Sequence, residues 1–258
     1  MVYYNKPNGF MNLVSEKSVL LPSDWNIVVP LFQHNLLHFD DGIKIWAEED
    51  IKDKVRGKNF VDIGMNYGAY TFMLHDMFEH CYGFEPNKHL YNIACGNIAM
   101  YDLSFKTTLY NYGLSDKEEV LQYVYVDEAG GGNMFIKPDS EDVSNKLYHK
   151  YDSYNVNFKH SDYFTVKKLD DFMIENIGFM KIDVEGFELN VLKGAEQTIV
   201  NSNYPMLLIE SWDVSDNDTS VVKEGKKELH DTLMSYLTDH FGYTVINLFG
   251  ENYLCEKQ

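Results

Sequence analysis

The chemistry-bearing part of this chain starts in the segment Phe60-Val61-Asp62-Ile63-Gly64-Met65-Asn66-Tyr67-Gly68-Ala69-Tyr70-Thr71. An apolar, β-branched run ends in an acid, and two glycines follow at D-x-G-x-x-x-G spacing. After Gly68 the apolar positions Ala69, Phe72, Met73 and Met77 change to helical spacing, so the sequence predicts a strand, a tight loop and a helix. Gly64 and Gly68 offer φ freedom and remove bulk where a backbone approaches a ligand, and the N–H groups and dipole of the new helix favour an anion. A ligand with a carboxylate suits that corner. The run Cys81-Tyr82-Gly83-Phe84 then leads into Glu85-Pro86-Asn87. An acid about 20 residues after a glycine loop, at the end of the second strand, is placed to accept both hydroxyls of a ribose.

The elements that must hold these residues alternate from Asn59 onward as strand and helix, the pattern of a parallel sheet with crossovers. Leu90, Ile93, Ala94 and Ile98 mark one helical face, and a third strand follows around 106–111. Residues 120–126 alternate as in an antiparallel strand, broken by Gly130-Gly131-Gly132-Asn133. The polar, tyrosine-rich stretch 137–162 reads as a lid or an insert, with Tyr148, Tyr151, Tyr154 and Tyr163 near it as a possible sugar-stacking wall. Spacing then predicts a helix carrying Leu169, Phe172, Met173 and Ile177, a fourth parallel strand at 179–184, and a helix with Leu189, Leu192, Ala195 and Ile199. Pro205 to Glu210 is the continuous apolar run of a strand buried on both faces. One more helix with Leu229, Leu233, Tyr236 and Leu237 precedes a closing hairpin around Gly250. Residues 1–50 have no clear period and are expected to form a cover, leaving 51–258 as the main domain.

Forty acids against 22 bases give a net charge of −18, which repels phosphate backbones and makes a nucleic-acid partner unexpected. No run approaches the roughly 18 apolar residues of a membrane helix, and the first residues lack the apolar stretch of a signal peptide, so the expectation is a soluble, cytoplasmic protein. Cys81, Cys95 and Cys255 show no metal-ligand spacing and fit a reducing compartment.

The glycine loop with its downstream acid differs from the G-x-G-x-x-G of dinucleotide enzymes and resembles motif I of class I S-adenosylmethionine (SAM) methyltransferases. The sequence contains, in order, Val61 to Gly68, Phe84-Glu85-Pro86, Gly113-Leu114-Ser115-Asp116, Lys168-Leu169-Asp170-Asp171-Phe172, the block Lys181-Ile182-Asp183-Val184-Glu185-Gly186-Phe187-Glu188, Leu192-Lys193-Gly194-Ala195 and Ile209-Glu210. This order closely resembles the FkbM family of methyltransferases over about residues 59–211. Met65 departs from the small residue usual there. The resemblance implies a Rossmann-like α/β fold with a seven-stranded, mostly parallel sheet and a C-terminal antiparallel hairpin strand. It also implies SAM as methyl donor and transfer to a hydroxyl, often on a sugar or glycosylated acceptor.

On this resemblance, Asp62 and the N–H groups around Gly64, Asn66, Gly68, Ala69, Tyr70 and Thr71 would hold the methionine part of the donor. Glu85 and Pro86 would border the ribose, and Asn111, Gly113 and Leu114 the adenine. Asp183, at the carboxyl end of the fourth strand, would face the sulfonium and, with Glu185, supply the base that takes the acceptor's proton. Two carboxylates this close can push one pKa toward the working range. Glu185 has the alternative role of favouring a helix N-terminus, and Lys181 could pair with Asp183 or leave the sheet edge. His160, beside the lid, is a further candidate base. No metal-ligand set is recognisable, and none is assigned. A SAM- or nucleoside-binding module without turnover and a nicotinamide-dependent oxidoreductase are the alternative readings.

Overall fold

The computed structural model describes residues 3–5, 10–12, 51–126, 134–136, 158–212, 214 and 220–257. The fold is α/β with a seven-stranded, mostly parallel sheet and a smaller four-stranded one. Two compact units divide the chain, residues 1–111 and 112–258.

In the first unit, β1 (Tyr3–Asn5) and β2 (Phe10–Asn12) form an antiparallel pair. Strands β3 (Asn59–Ile63), β4 (Cys81–Phe84) and β5 (Thr107–Tyr110) run parallel, with Asp62 opposite Gly83 and Gly83 opposite Leu109. Four of the five β3 residues are buried, as expected for a strand covered on both faces. Helix α1 (Ala69–Leu74) follows the glycine loop and gives way after six residues to a 3₁₀ turn at His75–Met77, so the long apolar spacing covers two short elements. Helix α2 (Lys88–Met100) starts at Asn87, whose side chain accepts hydrogen bonds from His89 and Leu90 N–H. Its buried face carries the expected Leu90, Ile93, Ala94 and Ile98, together with Asn97. Asn97 Nδ2 donates to Tyr67 O at 2.8 Å and ties the glycine loop to α2.

The second unit contains β6 (Gly113–Leu114), β7 (Glu119–Val126), β8 (Met134–Ile136) and β9 (Phe158–Lys167) in the order β6-β9-β7-β8. Because β9 begins at Phe158 and pairs antiparallel with β7, the last five residues of the expected lid are strand. Residues 137–157, with Tyr148, Tyr151 and Tyr154, lie outside the described residues, as do the glycines at 130–132 and most of the expected cover. The helix expected over 169–177 is a 3₁₀ turn at Leu169–Phe172. Met173 leaves it with a φ of 50° and 83% exposure, and Ile177 already belongs to β10 (Ile177–Ile182). Apolar spacing over so few residues does not separate a turn from a helix; only Leu169 of that turn is buried.

The next expected helix is split into α3 (Glu188–Lys193) and α4 (Glu196–Asn201). Gly194 sits between them with its Cα against the backbone of Ser115, where a Cβ would meet the carbonyl oxygen. Strand β11 (Met206–Glu210) runs parallel to β10, helix α5 (Ser220–Ser235) follows, and β12 (Thr244–Phe249) and β13 (Asn252–Glu256) form the expected antiparallel hairpin, with β13 on β11. No helix among the described residues is long and apolar enough to cross a membrane. All three thiols are free.

Candidate active site

In the first unit the glycine loop is held by its own backbone donors. Gly64 and Met65 N–H both donate to Phe84 O at 3.0 Å, Gly68 N–H to Met65 O at 2.8 Å, and Asn66 N–H to Glu85 Oε2 at 3.0 Å. Those four N–H groups therefore shape the loop. Asp62 is fully buried and takes two hydrogen bonds on Oδ2, from Thr71 N–H at 3.0 Å and Thr71 Oγ1 at 2.7 Å. It thereby fixes the first turn of α1 to the end of β3. Gly68 has a φ of 85°, and a Cβ there would lie 3.3 Å from Ala94 Cβ on α2, so the glycine allows the close approach of the loop to α2 as well as the turn.

Met65 is buried, and its thioether fills the space above Gly83 that any side chain on β4 would occupy. A large residue in the loop is thus accommodated by a missing one on the neighbouring strand. Glu85 is only 4% exposed, and each of its carboxylate oxygens receives one backbone N–H, Oε2 from Asn66 and Oε1 from Asn87 at 2.8 Å. Charge-assisted bonds of this kind fix the carboxylate. Asn111 Nδ2 donates to Glu85 O at 2.8 Å and Pro86 O at 2.9 Å, so Asn111 supports the Glu85-Pro86 turn. Among the described residues the buried Asn66 Oδ1 has no hydrogen-bond partner, and a ligand's N–H or O–H would satisfy it. A buried orphan acceptor beside a pre-oriented carboxylate fits a ligand with an ammonium and a ribose.

In the second unit, Gly113 and Leu114 are buried in β6, paired with Val166 and Lys167. The acids lie where β10 and β11 end. Lys181 is nearly buried, and its Nζ lies 2.9 Å from Asp183 Oδ2, whose side chain is 34% exposed. One carboxylate oxygen from each of Asp183, Glu185 and Glu210 falls within 4.8 Å of the others. Glu188 Oε1 accepts from Val184 and Gly186 N–H, both at 3.1 Å, and caps the loop. Glu185 holds a φ of 54°, a conformation non-glycine residues rarely adopt.

Burial pushes Asp183 upward, but the Lys181 ammonium and a hydrogen bond with Glu210 override it and hold Asp183 below the usual carboxylate range. Glu210 is pushed up to about 10 by burial, then by the Asp183 charge, their shared hydrogen bond and the charges of Glu185 and Glu188. Glu185 is raised well above its ordinary value by burial and by Asp183 and Glu188. Glu188 rises to about 7, chiefly through burial, against the pull of its backbone donors.

The structure therefore brings Asp183 and Glu185 together and adds Glu210, Glu188 and the ion-paired Lys181. Glu210 was named in the sequence as a strand end and in the family-like order of blocks, without a role at the site; strand register is the signal that finds it, since Ile182 pairs with Ile209 one step before Asp183 and Glu210. His160 lies on β9, and its side chain is outside the described residues.

The parallel α/β sheet with its glycine loop after the first parallel strand of that sheet has the architecture of class I methyltransferases. The chain belongs to the FkbM methyltransferase family: the Methyltransferase FkbM domain matches residues 62–245. SAM is accordingly its cofactor, and the protein is a methyltransferase. It is similar to Methyltransferase sdnD of Sordaria araneosa, 22% identical over 187 residues, covering 64% of this chain and 71% of that protein. Among solved structures it is similar to Methyltransferase FkbM from Methylobacillus flagellatus KT, with a TM-score of 0.50 and 17% identity over 78% of this chain; the match spans 44% of that longer protein. The SAH-bound methyltransferase PaMTH1 of Podospora anserina gives a TM-score of 0.47 at 8% identity, over 84% of this chain and 77% of the other.

Proposed function

We propose that this enzyme transfers a methyl group to a hydroxyl of a carbohydrate or glycosylated small molecule. The observation that carries the reading is the acid cluster where β10 and β11 end, in which carboxylate oxygens of Asp183, Glu185 and Glu210 fall within 4.8 Å of one another. Lys181, 2.9 Å from Asp183 Oδ2, favours the ionised form of Asp183, while burial and the neighbouring charges raise Glu185 and Glu210. An ionised carboxylate can accept one proton, and the Lys181 charge that keeps it ionised also lowers its basicity.

SAM supplies an already activated methyl group, so the protein's tasks are alignment and proton removal. Glu85 accepts the ribose hydroxyls, with Pro86 beside it. Asn66 Oδ1 and Asp62 are the acceptors for the methionine ammonium, and Gly64, Gly68, Ala69, Tyr70 and Thr71 form the surrounding backbone. Asn111, Gly113 and Leu114 border the adenine. Asp183 receives the acceptor's proton as its oxygen loses it, and the Lys181 ammonium stabilises the charge before the transfer. Glu185 keeps the neighbourhood acidic, and His160 is the alternative base. The net charge of −18 supports a small acceptor over a nucleic acid. No metal enters this scheme.

Turnover on a panel of glycosides, followed as S-adenosylhomocysteine release, tests the reading. Asp183→Asn is expected to lower turnover by about 10² to 10⁴, the usual span for a general base, while retaining SAM affinity. Full activity of that variant would move the role to Glu185 or His160, restored turnover on adding magnesium would contradict the metal-free scheme, and SAM binding without turnover on any acceptor would favour a binding module.

A further inference from the structure

Strands β10 and β11 place a second acid on the ladder step of Asp183. Lys181 pairs with Leu208 and Ile182 with Ile209, so Asp183 and Glu210 occupy the next step of the same parallel register. One carboxylate oxygen of each, with one of Glu185, falls within 4.8 Å of the others, so the two carboxyl groups are near neighbours. Two ionised carboxylates offer each other only acceptors and repel, and one proton between such a pair turns repulsion into a hydrogen bond. The position of the cation decides which residue carries it. Lys181, buried at its side chain, spends its ammonium on Asp183 Oδ2 and stabilises the negative charge there.

We propose that Glu210 is a positioning residue whose protonated carboxyl donates a hydrogen bond to Asp183, holding Asp183 as the ionised member of the pair. The proposal rests on the reading of Asp183 as the group that takes the acceptor's proton. The charged surroundings agree with it: Glu185 and Glu188, from the loop and α3, both face the pair, and Glu251, from the β12–β13 turn, faces Glu185. Glu185 and Glu188 oppose a second negative charge on Glu210. The directions of the shifts, Asp183 down and Glu210 up, follow from the same arrangement.

The test uses the full chain labelled with ¹³C at aspartate carboxyl carbons, without SAM or acceptor, with the Asp183 resonance identified by its loss in Asp183→Asn. Its titration midpoint is compared in the unsubstituted protein, Glu210→Gln and Glu210→Met. An amide N–H can replace the carboxyl donor, so Glu210→Gln is expected to leave the midpoint within about half a pH unit, whereas Glu210→Met removes the donor and raises it by about one unit, a tenfold change in proton affinity. If Glu210 were instead an anion, both substitutions would remove a like charge and lower the midpoint; that result overturns the proposal, as does an unchanged midpoint in Glu210→Met. Should Glu210→Met fail to fold, Glu210→Gln decides alone: an unchanged midpoint supports the proposal and a lowered one overturns it. Because no cofactor is added, either result leaves the methyl-transfer reading to its own test.

Discussion

Glu85 shows how a buried carboxylate can serve the fold and a ligand together. Its two oxygens hold the backbone of Asn66 and Asn87, so the glycine loop and the start of α2 are set by the same group assigned to the ribose. Glu85→Ala is expected to weaken SAM by about 1.5 to 3 kcal/mol, the range for hydrogen bonds to a charged group, measured by titration calorimetry. Unchanged affinity would move the ribose contact to another residue. At this scale much was legible: the D-x-G-x-x-x-G spacing, Glu85 and the Asp183-Val184-Glu185 block were all visible as residue types at fixed separations. What stayed hidden was pairing across strands. Glu210 was not recognised beside Asp183, because that depends on register between distant segments, whereas the Lys181–Asp183 pair, two residues apart, was one of two readings left open. Met65 looked like a departure from pattern until Gly83 on the adjacent strand accounted for its volume.

Among the elements, the glycine loop and α2 form the tightest joint. Gly68 combines a φ of 85° with a Cβ position 3.3 Å from Ala94 Cβ, so a side chain there meets both backbone strain and a neighbouring helix. Gly68→Val is therefore expected to lower global stability by about 1 to 3 kcal/mol, the cost of overpacking, in addition to impairing SAM binding. Chemical denaturation of this variant with an unchanged midpoint and no SAM binding would restrict Gly68 to the ligand. Parallel strands were readable because the continuous apolar run 206–209 and the β-branched, mostly apolar run 60–63 have few other homes. Short helical elements were not: Leu169 to Ile177 carries helical spacing, yet Met173 turns left-handed and leaves the core, and the 189–199 pattern runs through Gly194 without revealing that the Ser115 backbone lies against it.

For the molecule as a whole, the acid cluster couples stability to pH. Glu188 and Glu210 bind their protons more tightly in the folded chain than the ordinary glutamate value of 4.5, so the folded state holds more protons from there up to about 7 and about 10 respectively. Their contribution is complete below the ordinary value and is lost as pH rises through these windows. Thermal melts across pH are expected to show a declining contribution above pH 5. Glu188→Gln, whose amide oxygen can still accept from Val184 and Gly186, should flatten the part that ends near 7. An identical slope in both proteins would mean that Glu188 titrates normally.

The account centres on a methyl group delivered to oxygen with Asp183 taking the proton, and one measurement reaches that claim directly. The enzyme is incubated with SAM labelled with ¹³C at its methyl carbon and a panel of glycosides, and the label is followed by NMR. The account predicts a new methyl-ether signal on one acceptor, matched by an equal amount of S-adenosylhomocysteine, and both reduced by about 10² or more in Asp183→Asn. A label that appears on nitrogen, sulfur or carbon, or a methyl ether formed equally well by Asp183→Asn, would contradict it.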